Sequence, residues 1–240
     1  MYGLKNMQLR EKQMRERRTR ILNAAERLIR KTHSTDFSVR ALAVAAEVSP
    51  VTPFNLFGSK EGLLYALLSR SLDRFFSKGL VFKATDPNYH VIEAAEIAVE
   101  IFANDPNFLR PLYQILLGVS HAELRPKFMG RTFAYWKTAV LTIPGITKSQ
   151  GEANVNLLTH ALMAHFIGLL ELWVHKDFDD DGFRVHAICG IILMVSSVVS
   201  KKNLPAMQAY LDQAKANVPS MPMAESANIE IPIPSRKSAR

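Results

Sequence analysis

Apolar residues recur at helical spacing along nearly the whole chain, and no stretch of convincing length alternates apolar and polar residues as a β-strand does. Capping residues, glycines and prolines divide this pattern into separate segments. We therefore predict an all-α fold, with a small N-terminal three-helix domain followed by a larger helical domain. Beyond residue 49 the predicted helices span 50–57, 60–82, 89–104, a segment from 106, 123–142, 148–175, 182–202 and 205–216.

Helix boundaries are most closely spaced between residues 38 and 60. Ser38 and Ser49 are candidate N-caps of two short helices, and Pro50 stands at the first helical position, where its missing N–H costs nothing. Two short helices joined by a three-residue turn are typical of a helix-turn-helix unit, whose second helix enters the major groove of DNA. A tight hairpin in an ordinary helical bundle has the same spacing, so the spacing alone leaves both interpretations open. The side chains expected to face outward are Val51, Thr52, Phe54 and Asn55.

Several sequence motifs occur in order within residues 18–68, namely RILNAAERLI at 20–29, FSVRALA at 37–43, and the stretch from VS at 48–49 to FGSKE at 57–61. In this register, residues 18–68 resemble the N-terminal part of the tetracycline-repressor-like (TetR) family. The resemblance implies a helix-turn-helix regulator that contacts DNA phosphates and base edges through Ser38, Arg40, Thr52, Phe54, Asn55 and Lys60. The rest of the predicted DNA-binding set consists of Arg17, Arg18, Ser49, Pro50 and Val51.

Two residues depart from the family pattern. Phe54 stands where the family usually has tyrosine, so a hydroxyl that bonds phosphate is absent. Pro53 stands where leucine is common, near the end of the first helical turn, where a proline ring is tolerated. The motif is retained, but the DNA sequence that this helix recognises does not follow from the family.

Charge is concentrated in the same part of the chain. The protein has 30 Lys and Arg against 22 Asp and Glu, a net charge of +8, and residues 1–70 hold 13 basic and 6 acidic residues, which accounts for +7. This distribution is typical of a surface that displaces counterions from DNA phosphates. The basic residues are densest over 10–20. This segment is either an arm that reaches into the minor groove or along the DNA backbone, or a solvated helical extension.

The long predicted helices at 148–175 and 182–202 are apolar around much of their surface, so they need partners on more than one side. In the TetR family the last two long helices pair with their copies from a second subunit, and the resemblance therefore implies a homodimer. A two-fold dimer also suits palindromic DNA. The alternative is that both helices form the core of a monomer. The predicted interface residues are Leu169, Leu172, Trp173, Ile188, Ile191, Ile192, Val195 and Val199.

The middle helices are rich in aromatic residues with a few interspersed histidines. Such a set suits an apolar pocket with a few orienting groups, although the same residues also suit the core of a helical domain. The family resemblance implies a small-molecule effector in this domain, and the aromatic content favours an apolar or aromatic compound. The predicted ligand-binding residues are Phe102, Phe108, Tyr113, His121, Phe133, Trp136, His160 and Phe166.

Several other classes of protein are disfavoured. The longest uncharged apolar run, 187–200, has fourteen residues, fewer than the roughly 20 that span a bilayer, and no signal peptide is expected. The single cysteine, Cys189, cannot form an internal disulfide, and we expect a cytoplasmic protein. His160 and His165 do not share a helix face well, which disfavours a metal site. Without a catalytic triad or a phosphate-binding loop, we expect no enzymatic activity, metal or cofactor.

Together these observations predict a DNA-binding transcriptional regulator, a homodimeric repressor of a palindromic operator that a small-molecule ligand releases. The alternatives are a ligand-independent or architectural DNA-binding protein and a transcriptional activator of the same fold. The predicted divisions are a basic extension at 1–17, a helix-turn-helix domain at 18–64, a regulatory and dimerisation domain at 65–218, and a flexible tail at 219–240.

Overall fold

A computed structural model describes residues 2–77, 81–118 and 121–216, and these residues form α-helices and a short 3₁₀ turn at Pro87–Tyr89. The predicted all-α fold is confirmed, while the predicted tail at 219–240 lies outside the described residues. The helices are α1 (Tyr2–Thr32), α2 (Val39–Ala45), α3 (Thr52–Phe57), α4 (Lys60–Phe76), α5 (His90–Ala103), α6 (Pro106–Gly118), α7 (Leu124–Val140), α8 (Ile146–Val174), α9 (Asp180–Val195) and α10 (Leu204–Lys215).

The first four helices pack around a small apolar core. The C-terminal half of α1 buries Ile21 and Ile29 against α2 and α4, and α2 adds the fully buried Leu42. Leu64 and Leu68, one turn apart on α4, complete this core. Because α4 also packs against α6 and α7, it is shared between the N-terminal helices and the larger helical domain.

In the larger domain α8 packs against α7 and α9, and α9 packs in turn against α5 and α10. A cluster of buried aromatic rings lies where these helices meet. Phe166 of α8 lies 5.4 Å from Trp136 and 5.4 Å from Phe183, and Phe183 lies 5.5 Å from Trp173, measured between ring centroids. Aromatic rings at this separation make geometrically specific contacts, and these add to the stabilisation from the apolar area that the rings bury. The cluster therefore fixes the relative positions of α7, α8 and α9.

Two helices end earlier than expected, and a third contains an interruption. α4 ends at Phe76 and not near residue 82, and α8 contains a non-helical residue at Gly151, with φ 74° and ψ 164°. α9 ends at Val195 and not at 202. There the hydroxyls of Ser196 and Ser197 donate hydrogen bonds to the carbonyls of Ile192 and Met194, which gives the backbone an alternative to further helix.

Among the described residues, α8 is the one helix long and apolar enough to cross a membrane by length and composition. Of its most apolar 18-residue window, 39% is buried inside the protein. Length and apolar composition are weak evidence for a membrane span here, because a helix packed into a bundle core has the same properties.

Candidate nucleic-acid interface and ligand cavity

The turn between α2 and α3 is set by backbone hydrogen bonds at the end of α2. The N–H of Val48 donates to the carbonyl of Ala43 (3.0 Å) and the N–H of Glu47 donates to the carbonyl of Val44 (3.1 Å). This pair of bonds is the Schellman arrangement, which satisfies carbonyls that a helix end leaves free. It places Glu47 in the left-handed region at φ 54°. The chain therefore reverses within three residues, as the helix-turn-helix pattern predicts.

α3 exposes one face and buries the other. Val51, just before the helix, is 57% exposed and Phe54 is 49% exposed, and Asn55 is exposed as well. Pro53, which stands where the family commonly has leucine, is buried on the opposite side. Two large apolar side chains and an amide on one exposed face have no role in the protein's own core, so this face is available to a partner.

The start of α3 differs from the prediction. Ser49 was expected to cap a helix that begins at Pro50, but α3 begins at Thr52 and its N-cap position, Val51, makes no side-chain cap bond. The hydroxyl of Ser49 instead lies 2.7 Å from that of Thr52. Both hydroxyls therefore share a hydrogen bond, and Pro50 lies in the turn that precedes the helix.

The carboxyl end of α3 is held by α1 and α4. Arg18 donates a hydrogen bond to the carbonyl of Leu56 (2.9 Å), and its guanidinium lies 4.3 Å from the centre of the Phe57 ring. Gly58 ends the helix at φ 76°, and the backbone of α4 then passes so close that a Cβ on Gly62 would lie 2.2 Å from the carbonyl oxygen of Phe57. Arg18, predicted to contact DNA, positions α3 in this structure.

The remaining predicted DNA contacts lie near the ends of α2 and α4. Ser38 accepts a hydrogen bond from the N–H of Ala41 (3.0 Å) and caps α2, while Arg40 is exposed on the same helix. Lys60 is the first residue of α4, and its ammonium lies 5.1 Å from the centre of the Phe37 ring. The hydroxyl of Ser38 is therefore engaged within the protein, whereas Arg40 presents a free surface charge.

The basic N-terminal segment is a helix continuous with α1. Its side chains from residue 6 to residue 20, Arg17 among them, are all exposed. This helical form agrees with the extension considered from sequence, and an exposed basic helix also suits contact with phosphates. Both interpretations of the segment stay open.

A cluster of charged side chains connects α1 with α4 and with the start of α6. The carboxylate of Glu26 accepts hydrogen bonds from Arg70 (2.6 Å), Arg30 (2.9 Å) and Arg74 (3.1 Å). Arg30 also forms a bidentate pair with Asp105, at 2.7 and 2.8 Å. Bidentate pairs hold geometry better than single contacts, so this cluster fixes α1 relative to the larger domain.

The cluster keeps Glu26 ionised. Burial raises the pKa of Glu26, but the hydrogen bonds from Arg74 and Arg30 and the charges of Arg74 and Arg70 outweigh it, so the pKa lies below its ordinary value. A depressed carboxyl pKa stabilises the fold above the ordinary pKa, and this contribution is lost as pH falls through the folded-state value. The connection between α1 and α4 is therefore acid-sensitive.

A cavity of about 80 Å³ lies between α4, α5, α6, α7 and α8. Four of the predicted ligand residues line it, namely Phe102, Tyr113, Trp136 and Phe166. Sequence reasoning missed the wall formed by Leu72, Phe75 and Phe76 of α4, and it also missed Arg125. The α4 residues belong to an apolar stripe visible in the sequence, but the periodicity does not say which helix that stripe faces.

The other four predicted ligand residues lie elsewhere. Phe108 lies beneath the guanidinium of Arg30 at 4.6 Å, and His121 packs edge-on against Tyr65 with ring centroids 5.5 Å apart. Phe133 and His160 pair with each other at 4.5 Å. None of the four lines the cavity, and each packs against another part of the protein instead.

The predicted dimer residues lie mostly inside the protomer. Trp173, Ile191, Ile192 and Val195 are completely buried, Leu169, Ile188 and Val199 are at most 8% exposed, and Leu172 is partly buried against the core. The prediction chose the most apolar positions, and these positions form the core. Among the apolar and small residues that α8 and α9 expose are Leu157, Ala161, Ala164, Gly168 and Leu193. We call this set the α8–α9 outer face.

Within residues 2–77, 81–118 and 121–216 no group of three or more histidine, cysteine or acidic side chains is placed to hold a metal ion. Cys189 is partly buried, and burial raises the pKa of its thiol. The described part of the chain therefore provides no evident metal centre, and the interface and the cavity are its candidate sites.

Comparison with known proteins gives the fold a context. No protein-family model matches the sequence, and no curated protein is significantly similar to it. A TetR transcriptional regulator from Rhodococcus sp. RHA1 is similar in structure, with a TM-score of 0.60 at 18% identity over 76% of this chain and 97% of that one. A TetR-family transcriptional regulator from Streptomyces coelicolor has a TM-score of 0.56 at 14% identity, over 88% of this chain and 94% of that one. The chain therefore has the fold of TetR-type transcriptional regulators.

Proposed function

We propose that the protein is a DNA-binding transcriptional regulator, a homodimeric repressor that places α3 in the major groove of a palindromic operator. The observation that carries this proposal is the exposed face formed by Val51, just before α3, and by Phe54 and Asn55 of α3. Pro53, on the other side of this short helix, is buried. The concentration of positive charge in residues 1–70 supports the proposal. The likeness to regulators of the same fold supports it further.

Selection of bound sites from a random DNA library tests the proposal directly. A dimer with two copies of α3 enriches a palindrome whose half-sites lie about 34 Å, or one helical turn, apart, or a multiple of that distance. A library that shows no enriched sequence, although the protein binds it, contradicts operator recognition. That result supports the architectural alternative, in which charge alone binds DNA.

The homodimer forms through the α8–α9 outer face. Leu157 is 67% exposed and Leu193 is 58% exposed, and the exposed small residues Ala161, Ala164 and Gly168, which follow Leu157 at helical spacing on α8, let a second helix approach closely. An exposed strip of this kind is costly in an isolated protomer and is covered in a dimer.

Light scattering at micromolar concentration tests the dimer. The wild type is expected to have twice the mass of the chain, and Ala164→Arg is expected to yield monomers with unchanged helix content. Leu141→Arg is the matched control, because Leu141 is 50% exposed at the end of α7, outside this face. A monomeric wild type contradicts the proposal.

The size and the walls of the cavity support release by a ligand. A cavity of about 150 Å³ engineered into another protein holds benzene. The cavity here is smaller, about 80 Å³, so a molecule of the size of benzene or larger fits only if a wall moves. The wall formed by Phe75 and Phe76 belongs to α4, which carries Arg70 and Arg74 toward Glu26 of α1. A ligand that binds more tightly when α4 is displaced favours a state in which the recognition helices are displaced as well. The size of the shift depends on the difference between the affinities of the ligand for the two states.

Operator binding with and without a compound that binds the cavity tests this step. Fluorescence anisotropy of labelled operator is expected to show weaker binding when the cavity is filled. A compound that binds the cavity and leaves operator affinity unchanged contradicts ligand release and supports a ligand-independent regulator.

A reporter gene under the control of the operator separates repression from activation. Repression predicts that its expression rises when the regulator is deleted, and a fall in its expression supports activation instead.

A further inference from the structure

Arg125 is the one formally charged side chain that lines the cavity, among the described residues. The other lining residues are apolar or aromatic apart from Ser71, Thr132 and the hydroxyl groups of Tyr113 and Tyr135. The hydroxyl of Tyr135 donates to the carbonyl of Ala94 (2.6 Å), so it is already satisfied. Arg125 therefore supplies the charge among the described lining residues, beside the hydroxyl groups of Ser71, Tyr113 and Thr132.

Arg125 lacks an acidic partner. Its guanidinium donates to the carbonyl of Leu116, and it forms no ion pair with a carboxylate of residues 2–77, 81–118 or 121–216. Arg131 on the same helix differs, because it pairs with Asp73 at 2.7 Å. A guanidinium has five N–H donors, so Arg125 keeps donors for a further acceptor.

The position of Arg125 combines one favourable contact with two costs. Its guanidinium donates to the carbonyl of Leu116 in the last turn of α6, where the helix dipole favours a positive charge. Arg125 is partly buried in the first turn of α7, where the helix dipole disfavours a positive charge. Partial burial also removes water from a group that is always charged. A carboxylate offsets both costs, and a guanidinium binds a carboxylate through two parallel hydrogen bonds.

We infer that the cavity takes an amphiphilic organic acid, whose apolar body lies between α4 and α8 and whose carboxylate pairs with Arg125. This inference rests on the proposed function, because it names the ligand class of the proposed effector cavity. The aromatic walls at Phe102, Trp136 and Phe166 accept either an alkyl or an aryl body. The carboxylate supplies the recognition that these walls cannot provide.

A purely structural role for Arg125 makes a different prediction. The bond to Leu116 satisfies a carbonyl in the last turn of α6, which is a common way to end a helix. If capping were the whole role, loss of the guanidinium would lower the stability of the protein. It would also weaken the binding of acids and of their neutral analogues by the same factor. The charge of the probe therefore separates the two roles.

Calorimetric titration of the free protein with matched probes tests the inference. The probes are octanoate against octanol and phenylbutyrate against phenylbutanol, so that each pair differs in the carboxylate alone. We expect at least one acid to bind the wild type about tenfold more tightly than its alcohol, as one charged hydrogen-bonded contact gives. Arg125→Gln is expected to bring the acid to the affinity of the alcohol, and Arg125→Lys to retain part of the preference.

Lys127→Gln is the matched control, because it removes a positive charge from an exposed position on the same helix. It is expected to leave every affinity unchanged. Equal binding of acid and alcohol to the wild type, equal losses for both in Arg125→Gln, or no binding of any probe overturns the inference. Because the titration contains no DNA, an acid that binds through Arg125 and fails to release the operator refutes ligand release and leaves this inference standing.

Discussion

Substitution of Gly62 by alanine perturbs the contact between the recognition helix and α4. Gly62 lies in the first turn of α4, and its N–H donates to the hydroxyl of Ser59 at 3.0 Å. An added Cβ would lie 2.2 Å from the carbonyl oxygen of Phe57 and 3.4 Å from its carbonyl carbon. Since both atoms belong to the backbone, no side-chain rotation relieves the overlap, and the end of α3 must move.

The size of the effect follows from two opposing contributions. Overpacking of this kind costs about 1–3 kcal/mol. Alanine is favoured over glycine in a helix by at most about 1 kcal/mol. We therefore expect Gly62→Ala to lower the free energy of unfolding by about 1 kcal/mol. The displacement of α3 removes at least one base contact, so operator affinity is expected to fall by about tenfold or more.

Gly130→Ala is the matched control for this substitution. Gly130 is exposed on α7, and an added Cβ would meet nothing within 4 Å. It is expected to raise the free energy of unfolding by about 0.5–1 kcal/mol and to leave operator affinity unchanged. Urea denaturation followed by circular dichroism and anisotropy of labelled operator measure both quantities. A Gly62→Ala protein with the stability and the operator affinity of Gly130→Ala would refute the reasoning.

Three further predictions follow from the same structure. Asn55→Ala is expected to lower operator affinity more than affinity for random DNA, and equal losses would argue against base reading. Lys60→Ala is expected to weaken binding to both DNAs and to reduce the salt dependence by about one phosphate contact. A salt titration on the two DNAs measures both effects. Glu26→Gln is expected to cost about 1–3 kcal/mol of stability in urea denaturation at neutral pH. The cost should shrink as pH falls through the lowered folded-state pKa of the wild-type carboxyl, and a loss that does not depend on pH would contradict the ionic role. Burial lowers the pKa of His165, despite hydrogen bonds to the backbone of α9, so the thermal midpoint should fall as pH drops below about 6.5, and His165→Gln should reduce that fall; an identical pH profile would contradict it.

Local sequence signals were sufficient for the helix-turn-helix region. The cap at Ser38, the end of α3 at Phe57 and the start of α4 at Lys60 lie where the sequence predicts them, because each depends on bonds within a few residues. The Schellman turn at Glu47 was not predicted in detail, since glutamate is uncommon in the left-handed region. Its conformation accompanies the two backbone hydrogen bonds that Glu47 and Val48 donate to the end of α2.

Features that depend on which helices meet could not be predicted in this way. The apolar residues Ile191 and Val195 were assigned to a dimer interface, whereas both are buried within the protomer. A periodic pattern identifies an apolar face, but it does not identify the partner of that face. The same limit explains why Arg125 was missed, because its role depends on a cavity formed by five helices.

The role of Arg18 shows the same limit for charged residues. Its position in a basic segment predicted contact with DNA, but its guanidinium lies against Leu56 and Phe57. A count of charges locates the basic region without separating residues that support α3 from residues that contact phosphate. Arg40, which is exposed, remains a predicted phosphate contact.

The central claim is that α3 reads a DNA sequence, and the ratio of two affinities tests it most directly. The measurement is competition between the site selected from random DNA and a shuffled version of it, at physiological ionic strength. The account predicts a preference of about 10³ or more for the selected site, reduced at least about tenfold by Asn55→Ala. Equal affinity for the selected and the shuffled site would contradict it.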